Sequence, residues 1–483
     1  MALAQVTYRR DHRLHQFAIQ LMALGFVIPL WALWLYVHYP QIEIRAILLL
    51  AISSIIGIVL INRVSQSLAN PRISFLGWVY ILKITLVLWL VFQYWAPYLD
   101  VTSGTWGYDP QRFYDGAVSL AQYGFEVAPG QAITNVGITY YYGVQMYLFG
   151  ANPVVVALCN ALISLASTLL VITIVGRINL DGKVSLLLGA ALILVPETVW
   201  YEVMTARAGI VTPALVLIIL SFSCLLSGYM GNGLSRWWLI LAIPALLILG
   251  ITRPVMLIAA GSSIALIALI VDHPTKKWAI TLMLLALTLP IVLMVPWFAR
   301  QLADSTFAYT DYIVRATGNY GDIAHLWTES SIGRFLVPSN LLESILYVPL
   351  RAAAHLVAPL PNYYINWSHS LYIQSITHLI SSVLYVLILP RSLASLMLSI
   401  FDIRYREFLI FHIPLWVTLA AVAWGQPYIH ERYRLMAVPF LLASCFVGNI
   451  PKRLLLASYV FCYVIFMLAV LSYVIYKLYW MYL

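Results

Sequence analysis

Apolar runs recur along almost the whole chain, separated by short stretches that collect its Pro, Gly, Asn and charged residues. A helix must present roughly 20 apolar residues to cross the hydrocarbon core of a bilayer. On that measure the pattern predicts spans near 17–37, 44–61, 75–95, 154–176, 184–198, 207–227, 237–252, 254–271, 278–298, 371–389, 408–424, 435–449 and 455–477. The expected fold is therefore an all-α polytopic membrane protein of about 13 transmembrane helices, by the residue count needed per crossing. Two long segments, 96–153 and 299–370, interrupt the rhythm, and loops beyond about 15 residues usually carry function. The first contains the aromatic stretch GITYYYGVQMYLF at 137–149. At 13 residues it is short for a crossing. It reads better as a helix on the membrane surface, with Tyr140, Tyr141, Tyr142 and Tyr147 at headgroup level. The chain then divides into a transmembrane hairpin (1–74), a transmembrane core with the first long loop (75–298), a second long loop (299–370) and the remaining helices (371–483).

Composition excludes the soluble classes. Of 483 residues, 63% are hydrophobic and 9% charged, where a soluble domain carries about a quarter charged. The mean hydropathy of +0.90 leaves no polar half to form a soluble catalytic head. The run at 17–37 is long for a cleavable signal peptide and is expected to be the first helix. Cys159, Cys224, Cys445 and Cys462 all lie in apolar runs, so no disulfide framework is expected.

A net charge of +9 would point to nucleic acid in a soluble protein, but here charge must first be sorted by membrane side. With the amino terminus in the cytoplasm, 15 of the 27 basic residues fall inside, and 13 of the 18 acidic residues fall outside. The inner face carries +10 and the outer face −2, with Lys83 alone inside a span. That partition follows the positive-inside rule. It removes the reason to expect a nucleic-acid partner.

Chemistry is concentrated outside. Asp100, Asp109, Asp115 and Glu126 fall within 27 residues directly after a span. Asp109 precedes Pro110, an arrangement suited to capping a helix that runs through Phe113, Ala117 and Leu120 to Gly124. The same carboxylate could be a cap in a solvated loop or a reactive group. Arg207, Arg253, Arg300, Arg351, Arg432 and Arg434 are the outer arginines fit to hold phosphate, and each could equally anchor an interface or pair with an acid such as Glu197, Glu202 or Glu431. Arg351 and His355 share a helix face. The histidines are too scattered for a metal-ligand pattern, so no structural zinc is expected. A divalent cation is compatible with the acids without being demanded by them.

Taken in order, these features resemble the GT-C superfamily of membrane glycosyltransferases, which includes the protein O-mannosyltransferases and the lipid A aminoarabinose transferases. The resemblance runs through Asp109, Phe113, Ala117 and Gly124 after a span, and then the aromatic helix ending LFGANP. It continues through ITIVGRINLDG, Thr252-Arg253-Pro254, and His430-Glu431-Arg432-Tyr433-Arg434 leading into AVPFLLA. Together these cover most of residues 90–450. Many relatives begin with the span that leads into the loop, whereas here two further spans (17–61) come before it. Adjacent acids are replaced by Asp109 and, six positions on, Asp115.

The resemblance implies transfer of a sugar from a polyprenyl-phosphate donor to a lipid, glycan or protein acceptor on the outer face of a plasma or inner membrane, in cell-envelope polysaccharide or glycolipid synthesis. It implies Asp109 as general base with Asp115 in support, and Arg207, Arg253, Arg351, Arg432 and Arg434 as ligands of the lipid phosphate. Tyr140, Tyr141 and Glu431 would contact sugar or acceptor. The competing readings are a lipid-linked polysaccharide polymerase or ligase, which has no need of the acidic loop 100–126, and a lipid or oligosaccharide flippase or transporter, which would carry ionisable groups among its spans.

The charge partition makes the orientation testable. A reporter fused after Leu483 and cysteine labels introduced at positions 130 and 320 should all respond from the extracytoplasmic side. Reaction of position 320 only from the cytoplasm would invert the arrangement.

Overall fold

Helices account for nearly all of residues 2–38, 42–99, 109–124, 136–179, 181–227, 232–253, 255–270, 346, 348–357, 369–425, 431–446 and 450–482, which the computed structural model describes; no strand occurs among them. Seven of these helices are long and apolar enough to cross a membrane, or eight if one bent pair forms a single span. The expected run 278–298 lies outside the described residues. The chain forms two compact units, Met1–Pro254 with Asn366–Thr377, and Val255–Ile365 with His378–Leu483.

In the first unit the helices are α1 (Ala2–His38), α2 (Ile44–Ser67), α3 (Leu76–Leu99), α4 (Asp109–Tyr123), α5 (Val136–Phe149), α6 (Pro153–Ile178), α7 (Gly182–Leu194), α8 (Pro196–Val203), α9 (Arg207–Ser227) and α10 (Asn232–Thr252). The centre is α6. It is apolar around its whole circumference, the pattern of a helix with no solvent or lipid face, and it packs against α2, α3, α7, α8 and α9. Asn152 caps its start by accepting from the Val154 amide at 2.9 Å, ahead of Pro153 in the first turn. The first two helices are more than an appendage, because α2 buries Leu50, Ile58 and Ile61 within this unit.

The expected span at 184–198 breaks at Pro196. A proline ring cannot follow inside a continuing helix without losing a hydrogen bond, and α7 and α8 meet there at 42°.

Contacts at the two ends of the unit fix where α5 lies. At one end, the Asn70 side chain donates to the Gly182 carbonyl at 3.2 Å, joining the exit of α2 to the start of α7. At the opposite end, Arg45 at the start of α2 donates to the Tyr147 carbonyl near the exit of α5, at 3.1 Å. The entry of α5 lies beside the last turn of α10, where Gly137 faces the Ile251 backbone. Both ends of α5 thus sit at the end of the unit opposite Asn70, and the helix lies across that end rather than running through it.

The second unit contains α11 (Val255–Ile270), α12 (Val348–Val357), α13 (His369–Phe401, from His378 onward), α14 (Leu409–Gly425), α15 (Val438–Cys445) and α16 (Lys452–Tyr482). Two elements differ from the sequence pattern. The run at 371–389 continues through Pro390 as a 33-residue helix. The run at 435–449 opens with a 3-10 turn, Glu431–Met436, and then gives only the eight residues of α15.

Lipid tails are as apolar as leucine, so small and polar residues do much of the joining between membrane helices. Here Ser395 bonds His412 (2.9 Å), Ser392 bonds Ser444 (2.6 Å), and Arg391 donates to the Cys445 carbonyl (2.5 Å).

The tightest turn of the first unit is between α8 and α9. A Cβ at Gly209 would stand 2.6 Å from the Tyr201 carbonyl oxygen, a backbone atom that cannot swing away. Gly209→Ala should therefore cost about 1–3 kcal/mol, read as a lowered melting temperature in detergent. An unchanged melt would mean the turn relaxes freely.

Candidate functional site

The α4–α5 pair is built from an amphipathic helix and a helix that is apolar on nearly every side. On α4, Phe113, Ala117 and Leu120 recur at helical spacing and are buried. Phe113 and Ala117 cluster with Ile138, Tyr142 and Met146 of α5, Val156 of α6 and Ile210 of α9. Gly116 and Gly143 let the two backbones approach, with the Gly143 Cβ position 3.0 Å from Leu120. Gly124 ends α4 with φ of +78°, as a helix-terminating glycine does. The helix expected from Pro110 to Gly124 is observed as Asp109–Tyr123.

Asp109 is the first residue of α4, on the row that continues through Phe113 and Ala117. Its side chain lies outside the described residues, as do those of Glu431 and Arg432 and all of Arg300. Asp115 is exposed, and partial burial raises its carboxyl above the ordinary carboxylate range. The neighbouring Tyr114 is pushed up to about 12, first by burial and then by the Asp115 charge. Six positions on a helix amount to roughly 240° of rotation. Positions 109 and 115 therefore lie on different faces of α4.

Arg207 opens α9 and sets its guanidinium 5.5 Å from the centroid of the Phe113 ring, one turn beyond Asp109 on α4. Arg253 follows the last turn of α10 and is partly buried. Tyr140 and Tyr141 are half-buried on α5, and the Tyr141 hydroxyl faces the Asn160 side-chain oxygen of α6 at 3.5 Å. Tyr142 is wholly buried and donates to the Ala206 carbonyl at 2.8 Å. The first unit thus brings Asp109, Arg207, Tyr140 and Tyr141 to the α4–α5 layer and its immediate support.

The other arginines sit in the second unit. Arg434 is fully buried: its Nη1 donates to the Leu356 carbonyl (3.3 Å) and to Ser382 (2.8 Å), its Nη2 donates to the His378 carbonyl (3.2 Å), and its guanidinium lies 4.9 Å from the Tyr385 ring. Those partners clasp α12 and α13 from the 3-10 turn. Arg351 is also buried, one turn from His355, whose ring meets Tyr433 edge-on at 6.2 Å. Arg434 thereby joins α12 and α13, and both arginines are enclosed despite their charge.

Sequence reasoning left Lys83 without an assignment, and the structure supplies one. Its Nζ lies 2.7 Å from the Glu202 carboxylate of α8 and 3.4 Å from Ser164 of α6, with the pair's side chains only 0% and 1% exposed. Asn160, one turn before Ser164, donates to the Glu202 backbone carbonyl at 3.1 Å. The signal was available: Asn160 and Ser164 stand four apart in an otherwise apolar span, and Glu202 is an acid beside Pro196-Glu197. A lone charge in a span demands a partner on a neighbouring helix.

Arg434 provides a direct check on its internal role. Arg434→Lys keeps the charge but loses the planar fork that reaches three acceptors. It should lower the melting temperature in detergent by several degrees, as losing about 1–3 kcal/mol of buried hydrogen bonding would. A parent-like melt would return Arg434 to the pool of ligand candidates.

No family model, curated protein or solved structure matches the chain.

Proposed function

We propose that this membrane protein is a GT-C-type glycosyltransferase that moves a sugar from a polyprenyl-phosphate donor to an extracytoplasmic acceptor. The observation that carries the reading is the α4–α5 layer. A short helix headed by Asp109 follows the end of α3 and packs against an aromatic helix laid across the end of its unit, with Arg207 over Phe113. A carboxylate, an arginine and half-buried tyrosines at one end of a helical bundle suit a reaction between a lipid-anchored phosphate sugar and an acceptor arriving from water.

In that reaction the Asp109 carboxylate takes the proton of the acceptor hydroxyl or amine as the acceptor atom attacks the anomeric carbon. The bond from that carbon to the phosphate oxygen breaks, and the polyprenyl phosphate leaves with both electrons. Arg207, with Arg253, offsets the charge gathering on the phosphate. The proton passes from Asp109 to water between turnovers. The enclosed Arg351 and Arg434 have no direct part in this scheme, whereas Arg432 remains a candidate ligand through the family resemblance. The charge partition supports a cytoplasmic amino terminus and an outer acidic loop.

A transporter or flippase is the second reading, favoured by the buried Lys83–Glu202 pair among the helices. It predicts lipid movement that survives loss of Asp109. The two readings separate in one experiment with the full chain in lipid nanodiscs or vesicles. Asp109→Asn preserves shape and can still cap a helix, so the melt should hold while sugar transfer falls about a hundredfold or more. Asp115→Asn should cost less. Retained transfer in both variants would sink the mechanism, and retained transfer in Asp109→Asn with loss in Asp115→Asn would move the base six residues along the chain.

A further inference from the structure

We infer that the buried Lys83–Glu202 pair is a positioning device that fixes the α8–α9 turn and thereby holds Arg207 over α4. The inference rests on the reading of Arg207 as a phosphate ligand, and it concerns two residues that the proposed chemistry does not use.

A buried ion pair is a poor way to gain stability. Removing two charges from water costs as much as their attraction returns, and apolar side chains of similar size commonly pack as well or better. What a buried pair does supply is geometry, because a carboxylate that must meet an ammonium tolerates little displacement. Glu202 has one oxygen on Lys83, while its other oxygen has no hydrogen-bond partner among the described residues. Lys83 of α3 is the charged group that fixes the location of this carboxylate, with Ser164 of α6 beside the same pair.

That location governs where α9 begins. Between the end of α8 and the start of α9, Met204 and Thr205 form a turn, and the Gly209 amide donates to the Ala206 carbonyl at 3.2 Å to open α9. Four further contacts tie this stretch to its neighbours. The Glu202 carboxylate is tied to α3 through Lys83, and the Glu202 carbonyl is tied to α6 through Asn160. The Ala206 carbonyl is tied to α5 through the Tyr142 hydroxyl, and Gly209 sits beneath the Tyr201 carbonyl. Arg207 is the next residue after the tethered Ala206, and its guanidinium meets Phe113 of α4. Among these tethers only the Lys83–Glu202 contact is charged, and it is the one that reaches α3, the helix leading into the acidic segment. A one-turn slip of α9 would move Arg207 by about 5 Å, enough to take it off Phe113.

A pair serving stability alone would change the melt and leave donor recognition untouched, so the test reads donor KM against kcat. It uses the full chain in nanodiscs and a polyprenyl-phosphate sugar. The double replacement Lys83→Met with Glu202→Gln removes both charges together and should keep a folded protein. Its donor KM should rise about tenfold with kcat little changed, matching Arg207→Lys. Adding Arg207→Lys to it should cost nothing further, since residues acting through one contact are not additive. The inverted pair, Lys83→Glu with Glu202→Lys, should bring KM back toward the parent value.

A parent-like KM in the folded double variant overturns the inference. If that variant does not fold, the inverted pair decides: parent-like KM supports the positioning role, and a raised KM overturns it. A readout independent of turnover is hydrogen exchange of the amides of residues 203–209. These should exchange about tenfold faster in the double variant while the middle of α9 is unchanged. If the parent protein transfers no sugar, the glycosyltransferase reading has failed by itself, and unchanged exchange at 203–209 would be needed to overturn the positioning role as well.

Discussion

A membrane offers a buried charge no water, and the first unit is organised around that constraint. Lys83 stands in the first half of α3, a helix otherwise made almost wholly of apolar and aromatic residues. Leaving it alone there would cost several kcal/mol, whichever scale of insertion is used. The cost is offset by Glu202 on α8 and Ser164 on α6, so three helices are drawn to one point. Once α8 is anchored there, its break from α7 at Pro196 and its turn into α9 acquire fixed positions. The α4–α5 layer rests on that turn through Tyr142 and Phe113. A single electrostatic demand in the interior thus reaches the surface helices where the chemistry is proposed.

The second unit answers the same constraint differently. One of its buried cations, Arg434, is bound by two backbone carbonyls, a serine hydroxyl and an aromatic face. Guanidinium is suited to this because its charge is spread over a planar fork that several acceptors can share. Lysine, a compact point charge, is matched in the first unit by a full carboxylate. The choice of cation and the choice of partner go together in each unit, and both arrangements join helices that lipid alone would not press together.

Much of the helical plan could be read from the sequence, and the reasons for the rest are physical. Long apolar runs such as 44–61 and 154–176 became α2 and α6 because nothing in them competes with helix formation. The helix from Asp109 to Gly124 was legible because its cap, its apolar spacing and its terminating glycine agree. Hydropathy could not show that Pro196 would split one run into two helices, or that Pro390 would be absorbed into a longer one, since the outcome depends on whether neighbouring helices support the chain past the proline. Nor could it show that Arg434 would be enclosed. An arginine in an aromatic, basic stretch looks like a surface ligand until the Leu356 and His378 carbonyls are brought to it by α12 and α13, which lie some 50 to 80 residues earlier in the chain.

Polar residues that could serve Lys83 are visible in the sequence, but which acid meets it is not, for a related reason. Glu202 lies 119 residues away and is itself next to Arg207 in the apolar-aromatic segment YEVMTAR, where a local ion pair is the natural expectation. The fold separates those two neighbours. Glu202 turns into the bundle toward α3, while Arg207 begins α9 and faces Phe113 of α4. Two residues five apart in the chain thus serve two different helix contacts, because the break between α8 and α9 turns the chain between them.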